Sequence, residues 1–203
     1  MMATMTQQQL TEMTPRTALQ TLLDGNARYV ERRMNNRDLI QQVGETSEGQ
    51  YPFAVVLGCI DSRVPPEMVF DVGIGDIFAA RVAGNIANDD ILGSMEFACG
   101  AVGSKLILVL GHTSCGAVKG AYDNVELGHL TGLVGKIKPA VEWAQREQQV
   151  ADDDLDAIAR KNVELTVAAI KQRSTVLNEL ANSGQIEIVG GMYDVSSGRV
   201  TLI

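Results

Sequence analysis

Residues 53–63 read Phe-Ala-Val-Val-Leu-Gly-Cys-Ile-Asp-Ser-Arg, a short apolar run closed by glycine, with a thiol, an acid and a base directly behind it. The run Phe53–Leu57 has no polar member, and a strand with one face in water would alternate, so this pattern predicts a strand covered on both faces. Three more short runs, Ile77–Ala80, Leu106–Leu110 and Ile186–Val189, are bounded in the same way by glycine or a polar residue. Helical patterns lie between them. One spans Asp89 to Val102, with Ile91, Leu92, Met95 and Ala98 on one side; another spans Asp152 to Ala181 and opens on an acidic cluster suited to a helix N-terminus. Strands that alternate with helices predict an α/β fold, a parallel sheet of about four strands with helices on both faces. The tail, a turn over residues 193–198 followed by Arg199–Ile203, predicts an antiparallel edge strand.

Upstream, Thr14-Pro15 is an N-cap followed by proline at the first helical position, and Ala18, Leu19, Leu22, Leu23, Ala27, Tyr29 and Val30 recur at near-helical spacing. This predicts a helical arm with a bend near Gly25. Residues 34–51 are polar and aperiodic and read as a loop. The organisation expected is an N-terminal arm and loop over residues 1–51 and an α/β core over 52–203, one domain overall.

With 203 residues, 45% of them hydrophobic, the chain can bury a sizeable core without disulfides. Its formal net charge of −8 and the lack of any Lys/Arg run argue against nucleic acid and anionic membrane as partners. No stretch approaches the roughly 18 apolar residues of a membrane span, and the first ten residues show no leader pattern, so the chain reads as soluble and cytoplasmic. A leader already removed would leave no trace.

Cys59 follows the first strand run; His112 and Cys115 follow the third. The carboxyl ends of strands in an open parallel sheet form the ligand crevice, so groups some fifty residues apart meet there. Two thiolates and an imidazole suit Zn²⁺, and three ligands rather than four leave a coordination position open, as catalysis requires. Cys99 and His129 are assigned to structure: the first sits on a buried helical stripe and the second has no ligand neighbour. Gly73 and Gly75 form an incomplete dinucleotide fingerprint, since Ile77 and Phe78 follow, and a nucleotide site is rejected.

Three blocks, Gly58-Cys59-Ile60-Asp61-Ser62-Arg63-Val64-Pro65, Arg81-Val82-Ala83-Gly84-Asn85 and Gly111-His112-Thr113-Ser114-Cys115-Gly116, resemble in order and separation the signature blocks of the beta-class carbonic anhydrases. The resemblance runs from about Thr14 through the last strand. It implies a lyase, a carbonate dehydratase, that reversibly hydrates carbon dioxide to bicarbonate and a proton by zinc-bound hydroxide. It implies one Zn²⁺ per chain on Cys59, His112 and Cys115, and a catalytic dyad of Asp61 and Arg63. Gln50 matches the glutamine that plant-type, open-site members point at the substrate. Phe78, Ala83 and Phe97 match the apolar carbon dioxide pocket, with phenylalanine at 97 where tyrosine is common. The backbone N–H of Gly116 joins Gln50 as a candidate stabiliser of developing oxygen charge.

Two other functions share these residues: a zinc hydrolase for a carbon dioxide analogue such as carbon disulfide, and a non-catalytic zinc or redox-sensing module. The second leaves Asp61, Arg63 and Gln50 without a part. A homodimer or higher even oligomer is expected, because an amphipathic arm is poorly buried by its own domain and family members use it to clasp a partner. Members whose acid closes onto the zinc carry tryptophan three residues before the first zinc cysteine. Val56 stands there, while Arg81 and Tyr193 match other parts of that second pocket. Asp61 is therefore expected to stay paired with Arg63.

Overall fold

The computed structural model describes residues 4–146 and 154–203. Its centre is a five-stranded sheet in the order β2-β1-β3-β4-β5. The strands are β1 (Ala54–Gly58), β2 (Ile77–Arg81), β3 (Leu106–His112), β4 (Glu187–Tyr193) and β5 (Val200–Leu202). The first four are parallel and β5 returns antiparallel along β4, as the tail pattern predicted. Every residue of β1 and β3 is buried, which accounts for their unbroken apolar runs. Alternate side chains enter two cores: Val55, Leu57, Ile107 and Val109 on one face, and Ala54, Val56, Leu106, Leu108 and Leu110 on the other.

The second face is covered by α1 (Gln7–Glu12), α2 (Pro15–Val30) and α4 (Pro66–Val69) through Leu10, Ala18, Leu22 and Val69. The first face carries α5 (Asp89–Glu96), α6 (Gly116–Tyr122), α7 (Gly128–Gly135), α8 (Lys138–Arg146), α9 (Leu155–Arg173) and α10 (Thr175–Asn182).

Several expectations are corrected. Helix α2 runs unbroken through Gly25: a Cβ there would lie 1.7 Å from the Phe70 carbonyl oxygen, so this glycine permits close packing on α4 and is not a hinge. The expected loop over 34–51 contains a helix, α3 (Leu39–Glu45), whose N-cap Asp38 accepts from the Gln41 amide at 2.9 Å. Its Leu39, Ile40 and Val43 are exposed, so no apolar periodicity toward a core announced it. The pattern from Asp89 to Val102 is α-helical to Glu96 and then a π-helical turn, Phe97–Val102, ended by Gly103 at φ +95°. Asp152, where the long helical pattern began, lies outside the described residues. The remainder is two helices, because Ser174 adopts an extended conformation and its hydroxyl caps α10 at Leu177 while donating to Glu96 at 2.6 Å.

One buried carboxylate ties α2 to the sheet connection. Asp71, with a side chain fully closed to solvent, accepts from Arg28 Nε at 2.6 Å, from the Asn35 backbone and side-chain amides, and from Arg37. Burial by itself would raise this carboxyl's pKa, but the bonds from Arg28 and Arg37 outweigh it and the pKa is lowered. Replacing one partner of a buried ionic cluster costs about 3–5 kcal/mol, so Asp71→Ala is expected to lose a stability in that range in denaturant unfolding. Since the folded carboxyl is the more acidic state, its contribution is complete well above the unfolded pKa of about 3.9. The difference between wild type and variant should therefore shrink as pH falls through that value, and a pH series of unfolding midpoints reads this directly.

Candidate metal centre

The connection after β1 leads to one side of the sheet, to β2, while β3 lies on the other side, so the crevice between the carboxyl ends of β1 and β3 is a topological switch point. Gly58 ends β1 in register with Leu110, and His112 is the last residue of β3. Cys59 and His112 thus emerge side by side from neighbouring strands. Cys115 follows after a sharp turn made by Ser114 at φ +56° and begins the descent into α6. The ligand atoms of Cys59, His112 and Cys115 all lie within 4.8 Å of one another, and all three residues are buried.

The protonation chemistry of this trio favours a cation. His112 Nδ1 lies 2.9 Å from the Thr113 carbonyl oxygen, which can only accept, so Nδ1 carries the hydrogen and Nε2 presents its lone pair. Nε2 is buried and has no hydrogen-bond partner among the described residues, an arrangement that is costly unless something electrophilic meets it. The Cys59 thiol is pulled down to about 4, first by the bond from Cys115, with burial opposing and His112 and the Gly84 amide adding to the pull. The Cys115 thiol is raised, because Cys59 beside it already holds negative charge and burial adds to the penalty. Burial would lower the His112 pKa, yet the adjacent Cys59 sulfur reverses this and raises it. Two sulfurs and one imidazole on buried residues therefore compete for positive charge, and their N and S donors suit Zn²⁺.

Asp61 and Arg63 stand beside the trio. Arg63 donates to both carboxylate oxygens, Nε to Oδ1 at 2.9 Å and Nη2 to Oδ2 at 2.8 Å, and its amide N–H also reaches Oδ1. These bonds, with burial opposing them, hold the Asp61 carboxyl at about 2. Oδ2 lies 3.9 Å from His112 Nε2, so the carboxylate faces the centre while its geometry is taken up by Arg63. Arg81 donates to the Cys59 and Asp61 carbonyl oxygens at 2.8 and 2.5 Å and thereby shapes the turn that carries ligand and acid.

Of the other residues singled out, Gly116 is next to Cys115 in the chain and Ala83 is one residue from a backbone contact to Cys59. Ala83 precedes Gly84, whose N–H donates to Cys59 Sγ at 3.4 Å, and Gly116 opens α6 beside Cys115 and lines a cavity of about 360 Å³ with Ser114, Lys119 and Asp156. Gln50, Phe78 and Phe97 are elsewhere in this chain. Gln50 precedes β1 and lines a cavity with Gln7, Tyr51 and Lys105 at the amino end of the sheet, opposite the end that bears Cys59. Phe78 pairs with Val55, three residues before the carboxyl end of β1, or about 10 Å along the strand. It meets the Phe97 ring edge-on at 6.2 Å in a groove of about 700 Å³, and Phe97 is 58% exposed. Cys99 is buried with its thiol pushed up to about 12 by burial, as suits a core position, and His129 is exposed, away from the ligand trio.

Two contacts were not anticipated. Asp156, in the first turn of α9, accepts from the Ser114 amide at 2.8 Å and supports the turn between His112 and Cys115. Asn162 donates from α9 to the Gly84 carbonyl oxygen at 2.8 Å. The signal for Asn162 was present: it lies on the buried stripe of Ile158, Ala159, Val163, Thr166 and Ile170, where a lone amide needs a partner.

A family model described as carbonic anhydrase matches residues 54–200. Carbonic anhydrase 2 of Mycobacterium tuberculosis is 36% identical over 194 residues, covering 93% of this chain and 92% of that protein. A carbonic anhydrase of Mycolicibacterium smegmatis is 37% identical over 194 residues, with 93% of each covered. Among solved structures, a beta-carbonic anhydrase of Aspergillus fumigatus superposes with a TM-score of 0.74 at 26% identity, over 93% of this chain and 89% of the other. One of two tetrameric beta-carbonic anhydrases from Sordaria macrospora shares the fold, with a TM-score of 0.73 at 22% identity over 92% and 97%.

Proposed function

This chain belongs to the carbonic anhydrase family, in its beta class, and on that premise we propose that it catalyses the zinc-dependent reversible hydration of carbon dioxide to bicarbonate and a proton. The observation that carries this reading is the buried trio of Cys59, His112 and Cys115, with an unpartnered imidazole nitrogen and an Arg63-held carboxylate facing it. Cys59, His112 and Cys115 would hold the ion, one per chain. A bound Zn²⁺ would supply Lewis-acid activation of water near neutral pH.

The chain's own residues supply position and charge. Asp61 stays ionised and keeps lone pairs turned toward the centre, so it accepts a hydrogen bond from the reacting water and orients it instead of removing a proton. Arg63 fixes that carboxylate through two parallel bonds and neutralises a charge that would otherwise repel two thiolates. The Gly116 amide is offered to oxygen that gains charge. Ala83, one residue before the glycine whose N–H meets Cys59, is the candidate wall for a small apolar substrate. A redox-sensing module would have no use for the Asp61–Arg63 pair, which favours the enzyme reading.

The same reading includes a homodimer or a higher even oligomer. Gln50, Phe78 and Phe97 lie too far along the sheet to serve the centre of their own chain, and Phe97 with the Leu39, Ile40 and Val43 face of α3 leaves apolar surface exposed. A second copy would cover that surface and bring Gln50 and the two aromatic rings to the neighbour's centre.

Metal content of purified variants tests the ligand set: Cys115→Ser is expected to lose most of its zinc and Cys99→Ser to keep it, and the reverse pattern would overturn the assignment. Stopped-flow carbon dioxide hydration tests the chemistry. Wild type loaded with zinc should be active, while Asp61→Asn and Arg63→Ala should retain zinc and lose activity by at least about a hundredfold, the scale of a single positioning or charge-stabilising group. Full activity in both variants would make the pair structural. Analytical ultracentrifugation at the assay concentration should show a dimer or larger assembly, and a fully active monomer would contradict the shared site.

A further inference from the structure

We propose that Asn162 is a positioning residue for the metal centre: from the middle of α9 it pins Gly84, whose N–H donates to the Cys59 sulfur, and so sets how tightly that thiolate holds the ion. The inference rests on the zinc reading of the centre.

Gly84 carries both contacts. Its backbone sits at φ +69° and ψ 19°, the left-handed region, and a Cβ would lie 2.5 Å from Ile137 Cδ1 and 3.3 Å from Ala117 Cβ. Only glycine fits, yet glycine is also the residue whose two flanking peptides turn most freely. The following residue, Asn85, is left-handed as well, at φ +43°. Two such residues in succession persist only where surrounding contacts over-determine them. One flanking peptide carries the N–H that meets Cys59 Sγ at 3.4 Å; the other carries the carbonyl that accepts from Asn162 Nδ2 at 2.8 Å. Asn162 is 3% exposed, so water does not compete for that carbonyl. Without the amide, a buried acceptor loses its partner and the peptide beside it loses the contact that fixes its rotation.

Asn162 is itself held in place by the seating of α9. The next residue, Val163, occupies space that only glycine leaves: a Cβ on Gly111 of β3 would lie 2.5 Å from one Val163 methyl, and a Cβ on Gly190 of β4 would lie 2.7 Å from the other. This interlock sets the helix's height and rotation on the sheet and aims Asn162 at Gly84. Less than two turns earlier on the same helix, Asp156 holds the Ser114 amide. One rigid element thus braces both halves of the ligand set, Cys59 through Gly84 and the His112–Cys115 turn through Ser114. An N–H aimed at a thiolate favours its deprotonated, metal-binding form and fixes its lone pairs, and loss of such outer contacts typically weakens metal binding tenfold to a hundredfold.

The test is the zinc dissociation constant of the full-length protein, by competition with a chromophoric chelator, together with the thiolate-to-cobalt charge-transfer band after Co²⁺ substitution. Asn162→Ala and Asn162→Ser, two variants so that one is available if the other does not fold, are expected to bind zinc about tenfold to a hundredfold more weakly and to shift the cobalt band. Ile170→Ala, a cavity in the same helix two turns beyond, serves as control: it should lower thermal stability and leave zinc affinity within about twofold, since it touches no ligand contact. A change under about threefold in the Asn162 variants, or an equal weakening in Ile170→Ala, overturns the proposal. A wild-type protein that binds no zinc in the same titration overturns the zinc reading itself.

Discussion

Two cysteine sulfurs and an imidazole nitrogen crowded within 4.8 Å, on three buried residues, impose the constraint around which this molecule is built. Thiolates at that separation repel each other, and burial removes the solvent that would screen them. Positive charge has to enter, as an ion or as protons, and the surroundings are arranged for it. Arg63 and Arg81 converge on the turn that bears Cys59 and Asp61, one neutralising the acid and the other tying down its backbone. The Gly84 amide points at a sulfur. His112 is fixed in the tautomer that leaves its inward nitrogen bare.

Holding such a centre requires elements that do not give, and the sheet supplies them through small residues at particular places. Gly111 and Gly190 let α9 approach closely enough for Val163 to lodge between the strands, and Gly25 lets α2 lie against the Phe70 carbonyl. Each of these glycines forgoes side-chain packing of its own in exchange for helix–sheet contact. On the far face, Asp71 with Arg28, Arg37 and Asn35, and Asn26 with Val69, Gly198 and Val200, fasten the N-terminal helices to the α4 connection and the last strand. The arm is thereby tied to the sheet at several points. Most of its large exposed apolar side chains lie on α3, where Ile40 is 82% exposed, and Met34 precedes that helix.

The sheet also separates the candidate site residues into two groups. Cys59, Asp61, Arg63, Ala83, His112, Cys115 and Gly116 collect at the carboxyl end of β1 and β3, whereas Gln50 is at the amino end and Phe78 with Phe97 lines a groove on the flank of β2. A single strand of five residues is long enough to keep these groups apart within one chain.

The sequence alone was sufficient for the parallel sheet, its antiparallel return, and the meeting of Cys59, His112 and Cys115 at the strand ends. Buried strands and reactive groups at strand ends are local signals: Phe53–Leu57 has no polar residue because both faces are covered, Cys59 directly follows β1 and His112 ends β3. The tertiary structure decided what depends on contacts between distant segments. Helix α3 escaped notice because its apolar side chains face outward, and the π-helical turn at Phe97–Val102 keeps the same apolar spacing as the α-helix it extends. Gly25 read as a bend because glycine weakens an isolated helix, whereas its role is set by Phe70, forty-five residues away. Asn162 and Asp156 acquire their meaning only when α9 is laid against the sheet, because a side chain's hydrogen-bond partner follows from where the chain brings it and not from its neighbours in sequence.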